Sequence, residues 1–351
     1  MLKMPVMKHL ETVIMDDVHH SMGDVHHKMD DVHLPMDEVH HQIAETIAAN
    51  QHFLIVSHVR PDADAVGSVL GLGLALKNVG KIVQMVLVDG AEKYHYLPGS
   101  EWIKEAPSGE IDFVIVVDCS DPDRVGSILS DYGQPDLVID HHKTNLAFGV
   151  FNVVEPEQVA TAAIIFDYLT DWGLAFDKNI ATCLLAGIVG DTIGFRTPNV
   201  DAELMRKAAA LMDLGGDLTS VYAEELVLRS LKAVRYWGAG LNRIEHESGL
   251  VWTSLTLADR DIIGYAGNDD ADLVNVLSSV READIALIFV EQPNNTVKVS
   301  WRTGPGLDVS GIAYQFGGGG HAAAAGADIS GTLAEVKQHV IQETRNLLKN
   351  S

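Results

Sequence analysis

Residues 53–68 read FLIVSHVRPDADAVGS, and this stretch decides the fold. It begins as an unbroken apolar run, which is typical of a strand buried on both faces of a sheet. A turn follows that carries one imidazole and two alternating carboxylates, His58, Asp62 and Asp64. An apolar, Gly-rich helix is predicted over 64–78. Ligands collect at the carboxyl ends of parallel strands, so these three side chains are candidates for a site.

The same alternation of strands and helices continues on both sides of this stretch. Apolar runs at 82–88, 113–118 and 136–140 predict further buried strands, and helices are predicted at 159–171 and 179–190. The fold class is therefore α/β, with a parallel-sheet domain over 42–225. A helical linker is expected at 226–241. A second alternation predicts a smaller α/β domain over 242–351.

Composition limits the classes of partner. The 351 residues carry 49 acids against 25 basic residues, a net charge of -24, which disfavours a long nucleic-acid duplex. Two cysteines, Cys119 and Cys183, cannot build a disulfide framework or a thiolate zinc site, and we expect a reducing cytoplasm. No stretch predicts a membrane span or an export signal, so we expect no membrane partner. A homo-oligomer is compatible with the sequence.

Residues 1–41 form a separate extension rich in His, Asp and Met. Methionines recur every seven residues from Met15 to Met36, valines from Val18 to Val39, and eight of the sixteen histidines lie here. A coiled-coil seam and a metal-collecting tail are two interpretations. We favour a loosely helical appendage, because Gly23 interrupts the repeat and Met with Val makes a weak seam.

Polar residues end apolar runs at three further places. They are Asp118, then Asp140 with His141 and His142, and Asp191, which ends an apolar helix. Any one of them has a plain alternative as a helix cap or a hydrogen-bonded core histidine. Together with the first turn they would crowd several carboxylates into one crevice, which is prohibitive unless cations neutralise them. Oxygen-rich ligation without sulfur favours two divalent ions, Mn²⁺ or else Mg²⁺.

The sequence resembles the DHH phosphoesterases. The resemblance lies in four motifs: H-x-x-P-D-x-D-x-x-G-S from His58, Asp118, the Asp-His-His triplet from Asp140, and G-x-x-x-D-T from Gly187. The string 317–321, Gly-Gly-Gly-Gly-His, resembles the DHH-associated domain of one branch. Two small departures are Ala63, where the family often has Gly, and Gly190, where Thr is common.

The resemblance implies a role for each residue. One Mn²⁺ would be held by His58, Asp62 and Asp118, and the other by Asp64, Asp118, His141 and Asp191. Asp118 would bridge the two ions, Asp140 would orient His141, and His142 would face the substrate phosphate. Arg302, Gly318, Gly319, Gly320 and His321 would bind substrate. From the residues themselves, the glycine run suggests a nest of backbone N–H groups.

The branch that it resembles implies Mn²⁺-dependent hydrolysis of short RNA oligonucleotides to mononucleotides, and of 3′-phosphoadenosine 5′-phosphate (pAp) to AMP. Two alternative functions are compatible with the sequence. One is a phosphodiesterase acting on pApA or cyclic di-AMP, whose domain pair is the same. The other belongs to a different class, a non-catalytic module that senses nucleotides or metals.

Overall fold

The computed structural model of the chain describes residues 36–89, 91–304 and 306–350. Most of the histidine-rich extension therefore lies outside the described residues, and with it the predicted repeat. Its last residues belong to the first helix, which begins at Met36. His40 in that helix is buried, stacks on the ring of Tyr168 at 3.8 Å, and accepts a hydrogen bond from Trp172.

The N-terminal lobe is built on a six-stranded parallel sheet, as the apolar runs predict. Its strands are β1 (His52–Val56), β2 (Ile82–Val86), β3 (Ile103–Lys104), β4 (Phe113–Val117), β5 (Leu137–Asp140) and β6 (Phe151–Val154). Its helices are α1 (Met36–Ala49), α2 (Ala63–Asn78), α3 (Thr161–Tyr168), α4 (Lys178–Asp191), α5 (Ala202–Asp213) and α6 (Leu218–Tyr222). The strand order is β3-β2-β1-β4-β5-β6. The order reverses between β1 and β4, and the crevice at that point is where ligands bind in such sheets.

Helices α2 and α4 approach each other closely beside this crevice. A β-carbon at Gly67 would lie 2.4 Å from the backbone oxygen of Cys183, so the crossing requires glycine there. The close contact brings the start of α2 next to the end of α4. Asp64 and Asp191 are therefore neighbours although they are far apart in sequence.

The C-terminal lobe is a mixed six-stranded sheet with helices on both faces, which confirms the predicted second α/β unit. It comprises α7 (Leu231–Leu241), β7 (Glu245–Glu247), β8 (Leu250–Leu255), α8 (Leu257–Ile263), α9 (Leu273–Leu277), β9 (Ile285–Gln292), β10 (Thr296–Thr303), α10 (Ser310–Gln315), β11 (Gly319–His321), β12 (Ala324–Ser330) and α11 (Leu333–Asn350). The strand order is β11-β12-β10-β9-β8-β7. Tyr236 of α7 packs in the core on one face of this sheet.

Two features of this lobe differ from the sequence prediction. The glycine run does not form a nest, because Gly319 and Gly320 lie in the edge strand β11, where successive N–H groups point in opposite directions. The expected helical linker at 226–241 is not continuous, since residues 228–230 are not helical and α7 begins only at Leu231. Among the described helices, none is both long and apolar enough to cross a membrane.

Candidate metal centre

The carboxyl ends of β1, β4 and β5 bring the predicted ligands into one crevice. Among the described residues, three overlapping groups of acidic and histidine side chains have ligand atoms within 4.8 Å of one another: His58, Asp62 and Asp118; Asp64, His141 and Asp191; Asp118, His141 and His142. These groups contain all six predicted metal ligands and also His142. The ends of three neighbouring strands and of α4 thus supply one cluster.

Asp118 lies at the centre of the cluster. Its Oδ2 is 3.6 Å from His58 Nε2, and its Oδ1 is 3.6 Å from His141 Nε2, so the two oxygens face two different histidines. The backbone of Asp118 has a φ of 54°. This left-handed conformation directly after β4 is unusual for residues other than glycine, although Asp and Asn adopt it more readily than most. Such backbone conformations are concentrated at functional sites.

The two histidines beside Asp118 are held by backbone carbonyls through Nδ1. His58 Nδ1 is 3.0 Å from the carbonyl oxygen of Val59, and His141 Nδ1 is 3.4 Å from that of Gln158. With its proton on Nδ1, each ring would offer the Nε2 lone pair to a cation in the cluster. A metal-bound histidine is usually held in this way.

His141 also provides a test of whether a cation fits. Its Nε2 is buried and makes no hydrogen bond of acceptable geometry, although Asp191 Oδ2 lies 3.2 Å away. A buried imidazole nitrogen without a hydrogen bond is costly. Coordination of a divalent cation would remove that cost, so the donor set fits the metal that the sequence predicts.

The carboxylates of the cluster perform structural roles as well. Asp62 caps α2, its Oδ1 accepting from the backbone N–H groups of Asp64 and Ala65, while its Oδ2 lies 4.0 Å from His58 Nε2. Asp64 accepts from the N–H groups of Thr161 and Ala162 at 2.6 and 2.9 Å. Each carboxylate oxygen has two lone pairs, so these hydrogen bonds leave acceptor capacity for a cation.

Crowding of the carboxylates shifts their pKa values. Burial raises the pKa of Asp64 well above its usual range, and the charges of Asp118 and Asp191 raise it further. Burial likewise raises the pKa of Asp191 to about 6, despite the neighbouring imidazole of His141. Without a cation, burial and the neighbouring charges therefore favour the protonated forms of Asp64 and Asp191. A bound divalent cation would stabilise their ionised forms.

Asp118 and His141 shift in the directions expected of partners. Burial by itself would raise the pKa of Asp118, but contact with His58 and the charge of His141 outweigh it and hold that pKa well below its usual range. Burial would lower the pKa of His141, but the carboxylates of Asp191 and Asp118 outweigh it and raise that pKa to about 10. Asp118 is thus the carboxylate that stays ionised at the centre.

The role implied for Asp140 needs correction. We predicted that it orients His141, but its Oδ1 lies 2.7 Å from the ring Nδ1 of His142 and reaches His141 only through the backbone N–H. Its Oδ2 accepts from Asn145 at 2.6 Å, which fixes the carboxylate. The physical reason is that the backbone carbonyl of Gln158 already occupies the Nδ1 side of His141.

Two residues that contribute to the cluster were missed in the sequence. Thr161 donates through Oγ1 to Asp118 Oδ1 at 3.1 Å. Gln158 supplies the carbonyl that faces His141. Neither stands in a recognisable pattern, because one acts through a single hydroxyl at a helix start and the other through its backbone.

Ala63 and Gly190, the two departures from the family pattern, are in contact with each other. A β-carbon at Gly190 would lie 2.5 Å from the β-carbon of Ala63. The extra methyl group at one position is therefore accommodated by the missing side chain at the other. The first turn of α2 and the last turn of α4 keep their spacing, and with it the positions of Asp64 and Asp191.

The predicted substrate residues lie on the C-terminal lobe, and one of them reaches the cluster. The rings of His321 and His142 are stacked, with centroids 5.0 Å apart. Burial lowers the pKa of His321, and the charges of His142 and His141 add to the effect. Arg302 is opposite Ala324, and Ala324 is opposite His321, so by register Arg302 and His321 share one face of the sheet.

The glycines of the run have separate explanations. A β-carbon at Gly318 would lie 2.1 Å from the backbone oxygen of Gly326, and one at Gly320 would lie 2.5 Å from that of Ala324. Both are required by close packing of the hairpin. A β-carbon at Gly319 would meet nothing within 4 Å, so its backbone is open to a ligand.

Comparison with known proteins identifies the family. The model described as "DHH family, N-terminal domain" matches residues 52–188, and the DHHA1 domain matches 262–350. The bifunctional oligoribonuclease and PAP phosphatase NrnA of Thermus thermophilus is 33% identical over 87% of this chain and 93% of its own length. The chain belongs to the DHH phosphoesterase family. The resemblance seen in the sequence is confirmed.

Two further comparisons are informative. The cyclic-di-AMP phosphodiesterase PdeA of Listeria monocytogenes is 25% identical over 85% of this chain and 48% of its own length. An exopolyphosphatase-related protein from Bacteroides fragilis has a TM-score of 0.80 at 24% identity, covering 89% of this chain and 98% of that one. That likeness confirms the two-lobed fold.

Proposed function

We propose that this DHH protein hydrolyses short RNA oligonucleotides to mononucleotides and pAp to AMP, with two divalent ions, Mn²⁺ in preference to Mg²⁺. The observation that carries the proposal is the position of Asp118, whose two oxygens face His58 and His141 separately. A carboxylate placed in this way can bridge two ions. The relatives named above supply the substrate class.

The proposed ligands divide into two sets around Asp118. His58 and Asp62 would complete one ion, and Asp64, His141 and Asp191 would complete the other. Two ions held there would stabilise charge on the attacking and leaving oxygens of an in-line displacement at phosphorus.

His142 is proposed to deliver a proton or hydrogen bond to the substrate phosphate. Asp140 accepts from its Nδ1, which fixes the tautomer and turns Nε2 away from that carboxylate. His321 stacks on the same ring from the other lobe. Because its own pKa is lowered, His321 adds no charge beside His142 at neutral pH and still offers a hydrogen bond to a phosphate.

The second lobe is proposed to select the substrate through Arg302, His321 and the glycine run Gly318, Gly319 and Gly320. The Arg302 side chain is held by the Asn275 amide oxygen at 3.3 Å and by its neighbour's carbonyl at 2.9 Å. Short substrates suit this arrangement, since the net charge of -24 repels long polyanions. The cytoplasm is the compartment that we propose, which fits two free, buried cysteines.

A substrate panel tests the function. Purified protein with Mn²⁺ is assayed on pAp, RNA of two to five nucleotides, pApA and cyclic di-AMP, and kcat/KM is compared. We expect the highest values for pAp and short RNA. A preference for pApA or cyclic di-AMP would instead favour the alternative that the Listeria relative supports. No turnover of any of the four would contradict the proposal and favour a non-catalytic module.

A further inference from the structure

One face of the C-terminal sheet is half-exposed and turned toward the metal cluster. Along β10, Thr296, Lys298, Ser300 and Arg302 are half-exposed, whereas the residues between them are buried. By register, Ser300 is opposite Gly326 and Lys298 is opposite Asp328 on β12. This face, which we call the β10–β12 face, is therefore polar and has a floor of small residues at Ala324 and Gly326.

The two ends of this face meet different parts of the N-terminal lobe. At one end His321, in register with Ala324 and Arg302, stacks on His142. At the other end Arg60 Nη1 lies 3.7 Å from Asp328 Oδ2. Arg302 and Lys298 are four positions apart along the strand, which is about 13 Å. That span exceeds the separation of two phosphates on a single nucleoside.

A cavity of about 320 Å³ lies at the Arg60 end. It is lined by Arg60, Asn268, Gln292, Pro293, Thr296, Lys298 and Asp328. The volume is at the lower end of the range for small-ligand sites and suits one nucleotide unit. Two cations and one carboxylate line it, so the local charge is positive in a protein whose net charge is -24.

Arg60 is fixed at its backbone, whereas its guanidinium is exposed and has Asp328 as an ion-pair partner. Its N–H donates to Asp89 Oδ1 at 2.6 Å, and its φ is 57°. The side chain is 71% exposed. An exposed ion pair such as Arg60 with Asp328 is weak, and a phosphate is a stronger partner for a guanidinium. An incoming phosphate can therefore displace Asp328.

We propose that Arg60 and Lys298 form a second phosphate subsite, which holds a nucleotide beyond the one whose phosphate lies over the metal cluster. The inference rests on the proposed function and extends it, because it assigns the extra length of an oligonucleotide to this cavity. A substrate as short as pAp engages the cluster, His321 and Arg302 without reaching it.

The test compares substrates of different length in matched variants. KM for pAp and for an RNA 5-mer is measured with Mn²⁺ in Lys298→Ala and Arg60→Ala. Lys337→Ala is the control. Lys337 lies on α11, which covers the opposite face of the same sheet, and it pairs with Glu245 of β7. We expect the ratio of KM for the 5-mer to KM for pAp to rise about tenfold in both variants, the effect of one lost phosphate contact, and to stay unchanged in the control.

Asp328→Asn provides the opposite change. Removing the competing carboxylate should lower KM for the 5-mer and leave the value for pAp within about twofold.

An unchanged ratio in Lys298→Ala, with wild-type protein active on both substrates, would overturn the subsite. If wild-type protein turns over neither substrate, the proposed function fails. Anisotropy of a labelled RNA 5-mer then decides the subsite, since equal binding by wild type and Lys298→Ala would overturn it.

Discussion

A single carboxylate organises the crevice at the residue scale. Asp118 is 1% exposed, contacts His58 and His141 through different oxygens, and accepts a hydroxyl hydrogen bond from Thr161. Its left-handed backbone turns the side chain into the crevice as soon as β4 ends. Asn adopts that backbone conformation as readily as Asp does. An Asp118→Asn substitution therefore removes the charge and keeps the backbone preference.

We predict that Asp118→Asn reduces Mn²⁺-dependent hydrolysis of pAp at least about 100-fold, because a neutral amide cannot bridge two cations. The fold should persist, since shape and backbone preference are retained. The rate is measured with saturating Mn²⁺, and circular dichroism checks the fold. Asp213→Asn, at an exposed position ending α5, is the control. A wild-type rate in Asp118→Asn would rule out the bridging role.

The contact between Ala63 and Gly190 gives a coupled prediction. Gly190→Thr alone should clash with Ala63, push apart the ends of α2 and α4, and reduce hydrolysis through Asp64 and Asp191. Adding Ala63→Gly removes the opposing methyl group and should restore most of the lost activity. A double-mutant cycle on kcat/KM measures this. Strictly additive effects would show that the two positions do not compensate.

Sequence alone predicts the cluster's members but not their hydrogen bonds. The apolar runs and the polar residues that end them are enough to place His58, Asp118 and His141 at one edge of a sheet. Which carboxylate holds which ring is decided by packing between elements. Asp140 contacts the ring of His142 rather than that of His141, because the carbonyl of Gln158 already occupies the Nδ1 side of His141. Gln158 lies in the loop before α3, so the arrangement depends on how that loop packs.

Elements are tied together at the site by groups shared between them. Helix α3 starts at Thr161 after Ala160, which offers no side-chain cap, and Asp64 of α2 supplies the missing acceptors. The same carboxylate is a proposed metal ligand. Helix positions and the metal centre therefore depend on each other at the element scale.

Lys207 on α5 supports the loop that orients His141. It is 6% exposed and donates to Asp167 and to the side chain of Gln158 at 2.5 and 3.0 Å. We predict that Lys207→Met lowers the free energy of unfolding by about 2–3 kcal/mol, because Asp167 loses its partner. It should also weaken Mn²⁺ binding, since the Gln158 carbonyl is less well held.

Chemical denaturation and Mn²⁺ titration measure these two effects of Lys207→Met. Arg206→Met is the matched control, because Arg206 is the preceding basic residue on α5 and is exposed. Loss of stability with unchanged Mn²⁺ affinity would limit Lys207 to a structural role.

The start of α8 is stabilised by a bidentate ion pair that gives a pH dependence. Arg243 contacts both oxygens of Asp259 at 2.5 and 2.6 Å, and this pairing lowers the pKa of Asp259 to about 2. The lowered pKa means that the stability is present above the unfolded value of 3.8 and is lost as the pH falls toward 2.

We therefore expect Asp259→Asn to cost about 1–2 kcal/mol at pH 7, a figure reduced for the partial exposure of Arg243. The difference from wild type should vanish between about pH 4 and pH 2. Urea denaturation across that range measures it. A difference that persists at pH 2 would assign the effect to the capping box with Thr256 rather than to the charge.

The β11–β12 hairpin shows what sequence patterns miss at this scale. Glycine has a low strand propensity, so the run at 317–320 predicts a loop. Pairing with β12 overrides the propensity, because Gly318 and Gly320 allow the two backbones to approach more closely than any side chain would permit. The error concerns backbone conformation, whereas the expected proximity of His321 to the site agrees with its stacking on His142.

For the whole molecule, charge and histidine content take on a specific meaning. The net charge of -24 is unfavourable for phosphate substrates, yet the crevice gathers His58, His141, His142 and His321 with Arg302 on the facing sheet. Two divalent ions would make the local electrostatic potential at the cluster positive. The centre would then attract phosphate groups while the acidic surface repels them, which favours short anionic substrates over long ones.

The number of Mn²⁺ ions bound per chain tests the two-metal claim most directly. Equilibrium dialysis followed by metal analysis gives the stoichiometry, and pAp hydrolysis is followed over the same titration. The predicted result is two ions per wild-type chain, at most one in Asp118→Asn, and turnover that appears only as the second ion binds. A saturated wild-type protein with one ion, or full turnover before the second ion binds, would contradict the account.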